Sequence, residues 1–77
     1  MNTEEPKIIT TIIDGYKLEF DNLYGGTQIT VSKDKFYASL SYVIMNTYLY
    51  DDQGNDSKQI SEETIIKFEN WAEKVGY

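Results

Sequence analysis

Lys35–Tyr50 reads KFYASLSYVIMNTYLY, and whether it forms a helix or a strand decides the fold. It holds four of the seven tyrosines and no acidic residue, in a chain where 13 Asp and Glu face 7 Lys. Its composition is that of a strand, since Tyr, Val, Ile, Thr and Phe all suit a pleated surface. Phe36, Ala38, Leu40, Tyr42 and Ile44 even give an apolar face of period two.

The approach to the stretch favours a helix. In Val31-Ser32-Lys33-Asp34-Lys35-Phe36, Ser32 can cap and Asp34 falls in the first turn, with Val31 and Phe36 as a hydrophobic staple. Ile60-Ser61-Glu62-Glu63-Thr64-Ile65 repeats this arrangement with Ile60 and Ile65. Neither is a full capping box, because Lys35 and Thr64 occupy the third helical position. On a helical wheel Phe36, Leu40, Val43, Ile44 and Thr47 share one side, with Tyr37 and Tyr48 at its edge. The run is also long for a single strand. The preferred reading is a helix, which leaves Ala38, Tyr42, Met45 and Leu49 on a second apolar side. Those residues then require cover from the last helix or from a partner.

The rest of the chain reads more simply. Ile8–Ile13 is β-branched throughout and predicts a strand. Asp14-Gly15 predicts a two-residue hairpin turn into the alternating Tyr16–Asp21, with Tyr16, Leu18 and Phe20 inward. Asn22–Gly26 is turn-rich, and its glycine pair lacks the spacing of a phosphate loop. Thr27–Val31 predicts a third strand with Ile29 and Val31 inward. Asp51–Gln59 reads as a polar loop. Ser61–Val75 predicts a helix burying Ile65, Phe68, Trp71, Ala72 and Val75, with a Glu63–Lys67 pair and Gly76 as C-cap.

The expected fold is therefore α+β, a three-stranded antiparallel sheet followed by two helices. The alternative is a four-stranded antiparallel sheet with one C-terminal helix. Residues 1–7 are expected to be a flexible tail and residues 8–77 one compact domain, near the lower size limit for an independent core. MNTEEPK is acidic and polar, unlike a secretory signal, and no apolar run has membrane-spanning length, so no membrane association and a cytoplasmic location are expected.

Histidine and cysteine are absent, which removes the common nucleophile–base pairs and thiolate or imidazole metal sites. No catalytic residue, metal site or cofactor is expected, and the chain is read as not an enzyme. The 51–63 segment fails the calcium-loop pattern in either register: starting at Asp52 puts Gly54 at a ligand position, and starting at Asp51 puts Asp56 at the turn glycine.

The net charge of −6 and the absence of arginine oppose direct nucleic-acid binding and favour encounter with a basic protein surface. Tyrosine gathers at interfaces because it presents a rigid ring with a polar tip. The expected function is a protein-binding module that occupies a basic, nucleic-acid-binding surface of its partner as a regulator or inhibitor, carboxylates standing where phosphates would. The candidate contact residues are Tyr42, Met45, Leu49, Tyr50, Asp51, Asp52, Asp56, Glu62, Glu63 and Glu69. The alternative is a self-associating accessory protein, a homodimer through Phe36–Tyr50 without mimicry.

Overall fold

The structure, a computed structural model, describes residues 6–23 and 25–77. Most of the expected tail, and Tyr24, lie outside the described residues. Six strands form a single antiparallel sheet among those described: β1 (Ile8–Ile13), β2 (Tyr16–Asp21), β3 (Gln28–Lys33), β4 (Phe36–Ser39), β5 (Tyr48–Tyr50) and β6 (Ser57–Gln59). Their order in the sheet is their order in the chain. Helix α1 (Leu40–Asn46) is inserted between β4 and β5, and α2 (Glu62–Val75) follows β6.

The first hairpin forms as expected, with Ile13 opposite Tyr16. Its turn places Asp14 and Gly15 at φ 51° and 85°, the positive values that let a two-residue loop follow the strand twist. The registers Ile9↔Phe20, Leu18↔Val31, Phe20↔Ile29 and Val31↔Ala38 put one set of alternate side chains on an inner face. Both helices contribute to that face: Leu40 and Val43 from α1, and Ile65, Phe68 and Ala72 from α2, join Leu18, Phe20, Ile29, Val31 and Leu49 in one core. Among the described residues no helix packs on the sheet's other face, here called the open face.

Neither expected arrangement of the sheet is correct, because Lys35–Tyr50 is partitioned. Ser32 lies within β3 and caps nothing; Asp34 and Lys35 form a two-residue turn, with Asp34 at φ 55° and Lys33 opposite Phe36. Phe36–Ser39 then pairs with β3 as a strand. The helix begins only where Ser39 accepts the Tyr42 N–H at 3.2 Å, and it ends at Thr47, whose φ is 67°. Tyr48–Tyr50 is a strand again. The Asp51–Gln59 loop is likewise shorter than expected, since Ser57–Gln59 pairs with β5.

Helix α2 follows its sequence signals. Ser61 Oγ accepts the Thr64 N–H at 3.3 Å, and Gly76, at φ 90°, caps the C-terminus. Lys67 is paired differently from expectation: its Nζ lies 3.1 Å from Asp14 Oδ1 in the first hairpin turn. Thr64 Oγ1 donates to Asp14 Oδ2 at 2.8 Å. These two hydrogen bonds hold the Asp14 carboxyl below its ordinary value of 3.8. Helix and hairpin are thereby tied by polar contacts beside the core. No described helix is long and apolar enough to cross a membrane.

Candidate partner-binding surface

Alternation along β4 and β5 decides where the tyrosines go. Tyr37 is opposite Ser32, which is opposite Lys17, so all three belong to the open face. Tyr50 is opposite Tyr37, and Tyr48, two residues before Tyr50, shares its side of the strand. Helix α1 turns its buried side to the core, and the Tyr42 ring meets both β5 tyrosines. Ring centroids are 5.4 Å apart for Tyr37–Tyr50, 5.1 Å for Tyr42–Tyr50 and 5.5 Å for Tyr42–Tyr48. All four tyrosines of the opening stretch therefore form one continuous patch. Each keeps part of its surface accessible.

The patch has an ordered polar pattern. The Tyr42 hydroxyl donates to the Tyr48 hydroxyl at 2.7 Å. That bond, reinforced by burial and by the neighbouring phenols, pushes the Tyr42 pKa up to about 12. A hydrogen bond to the Asp52 carboxylate, and the charge on that carboxylate, raise Tyr37 above its ordinary value of 10. Tyr42, Tyr48 and Tyr50 line a shallow depression with Asn55, Asp56 and Ser57. Beside it, Lys35, Asp51, Asp52 and Gln53 line a second one.

The acidic residues have separate roles. Asp51 is only 8% exposed, and its Oδ1 accepts the N–H groups of Gln53 at 3.1 Å and Asn55 at 2.9 Å. It shapes the loop from within. Lys35 Nζ, itself exposed, lies 4.0 Å from both Asp51 Oδ2 and Asp56 Oδ2, a long spacing at which a solvated ammonium contributes little energy. Asp52 and Asp56 are exposed beside the tyrosines. Glu62, Glu63 and Glu69 are exposed on α2, which packs on the inner face, so they lie on the opposite side of the sheet from the patch.

The ten candidate residues are thus divided. Tyr42, Tyr50, Asp52 and Asp56 come together, with Asp51 buried among them, while the three α2 glutamates stand apart. The second apolar side expected of a long helix does not exist. Leu49 is 0% exposed on β5 and Ala38 is buried on β4, whereas Met45 is 82% exposed on α1. Tyr37 and Tyr48, assigned to the core's edge from the helical wheel, belong instead to the patch. Period two through Tyr48 and Tyr50 was the available signal for that placement. Among the described residues no group of three or more acidic side chains is placed to hold a metal ion. No protein-family model matches the chain, and neither a curated protein nor a solved structure matches it.

Proposed function

We propose that the protein is a non-catalytic, cytoplasmic binding module whose tyrosine patch engages a basic surface of a partner protein. The observation that supports this reading is the gathering of Tyr37, Tyr48 and Tyr50 on the open sheet face, with the Tyr42 ring of α1 against both β5 tyrosines, beside exposed Asp52 and Asp56. Phenol rings attract Lys and Arg by cation–π contact, and adjacent carboxylates add charge-assisted hydrogen bonds. A partner whose basic surface otherwise holds nucleic acid would be blocked by such contact, which gives the module a regulatory or inhibitory role. The carboxylates available for that contact are those beside the patch, because the α2 glutamates face the other way.

A peptide rich in Lys and Arg is a suitable probe. Titrated into the labelled protein, it should shift the resonances of Tyr37, Tyr42, Tyr50 and Asp52, and raising salt should weaken binding steeply. Tyr50→Ala should weaken binding about tenfold, the order of one cation–π contact and its packing, while Glu63→Gln should leave it unchanged. Shifts confined to α2, or affinity indifferent to salt, would sink the proposal.

A further inference from the structure

We infer that the outer edge of β1 is a self-association surface, where a second copy of the chain adds its own β1 antiparallel to make one continuous sheet. This rests on features at the end of the sheet away from the tyrosine patch. Four strand spacings separate β1 from β5, about 19 Å.

The two sheet edges differ sharply. β6 has three residues, Ser57-Lys58-Gln59, and is short and polar with a central lysine, the ordinary protection of an edge. β1 has six residues, all β-branched and none charged. Among the described residues no strand lies beyond it. On the open face it presents Ile8 at 55% and Ile12 at 66% exposure, with Thr10 between them.

The hairpin register fixes which backbone groups are free. Ile13 and Tyr16 flank a two-residue turn, so they form a hydrogen-bonded pair, as do Thr11 and Ile9 with their partners. The N–H and C=O groups of Ile8, Thr10 and Ile12 therefore point away from β2. Those residues are the ones whose side chains occupy the open face. The sequence Ile8-x-Thr10-x-Ile12 is symmetric about Thr10. Antiparallel pairing of two copies about a twofold axis at Thr10 places Thr10 opposite Thr10, and Ile8 opposite Ile12. All three free positions then become hydrogen-bonded pairs, and each exposed isoleucine covers its counterpart.

Charge is compatible with the pairing despite the overall negative sign. Ile8 is flanked on β2 by Asp21, and Ile12 by Lys17. In the twofold arrangement the two outer cross-sheet rows each carry Asp21 at one end and the second copy's Lys17 at the other. The middle row ends in Glu19 on both copies, but three strand spacings, about 14 Å, hold those carboxylates beyond a Debye length.

The full chain should show a concentration-dependent mass rising from 8.9 kDa to twice that value by light scattering. Ile12→Lys, at an exposed position, should return it to the monomer with unchanged circular dichroism. Thr10→Cys should oxidise to a covalent dimer, whereas Ile8→Cys should not link to itself, since only Thr10 faces its own copy. Amide exchange on the unsubstituted chain offers a readout that needs no variant. In the dimer Ile8, Thr10 and Ile12 should be protected and should lose protection on dilution, while Ile9, Thr11 and Ile13 stay protected throughout. A monomer at every concentration overturns the inference and leaves the edge to a strand of another protein. A dimer in which Thr10→Cys fails to link, or in which dilution leaves β1 exchange unchanged, also overturns it.

Discussion

Asp51 and Asp52 are adjacent carboxylates with different surroundings, and their substitutions should separate accordingly. Asp51 accepts two backbone N–H groups from inside its loop. Removing a nearly buried carboxylate that satisfies two amides costs about 1–3 kcal/mol. Asp51→Ala should lower the unfolding free energy by that amount, read as a lower denaturant midpoint at unchanged slope. Asp52→Ala, at an exposed position, should stay within about 0.5 kcal/mol but weaken binding of the basic peptide. Tyr42 governs the alkaline limb. Its folded pKa of about 12 lies above the ordinary 10, so its proton is held more tightly in the fold than in the unfolded chain. The stability this contributes is complete below pH 10 and is lost as pH climbs through 12. Tyr42→Phe should remove the highest phenolate step in an absorbance titration and flatten the fall of stability in that window. Asp14 acts with the opposite sign. Its lowered pKa contributes stability above its ordinary 3.8 that disappears as pH falls through the folded value.

At the scale of elements, α1 is the least secure piece. It has seven residues, too few to persist without its caps and its two core side chains. Ser39→Ala should cost about 1 kcal/mol, as loss of an N-cap does. Thr47 ends the helix at φ 67°, a conformation that a β-branched residue adopts at a cost of about 1–2 kcal/mol. Asn tolerates it better, so Thr47→Asn should raise the thermal midpoint although it alters the 2.7 Å bond from Gln59. The β1–β2 hairpin and α2 were legible in the sequence because each is decided within a few residues: a Asp-Gly turn between alternating strands, or a capping serine ahead of an apolar period. Lys35–Tyr50 was not, because both expectations applied to it in turn. Its ends are strands and its middle is a helix, and Asp34 serves a turn where it looked like a first-turn acid. Ser39 ahead of Leu40, and Asn46-Thr47 after it, were the local marks of the division. β5 and β6, three residues each, take their strand conformation from pairing, which no local pattern encodes. The tyrosine patch follows from that pairing and was therefore legible only as a surplus of aromatic residues.

For the molecule as a whole, a single core under one sheet face leaves little reserve. Phe68 is fully buried at its centre, and Phe68→Ala should cost about 3–5 kcal/mol. A loss of that size is comparable to the whole stability of a domain this small, so the variant should be largely unfolded at room temperature by circular dichroism. The arrangement of strands also has a kinetic meaning. Each strand meets the one that follows it in the chain, so the sheet closes through short loops with little entropy lost at each step. The bond from Thr64 to Asp14 is different, for it closes over 50 residues. The expected order is a rapid zipping of the sheet, with α2 docking afterwards onto the first hairpin. Asp14→Asn, which tolerates the positive φ of the turn and removes the charge, should then leave the refolding arm of a chevron plot in place and raise only the unfolding rate. In that order of events the bond from Thr64 to the Asp14 carboxylate is a latch, closed last in folding and opened first in unfolding.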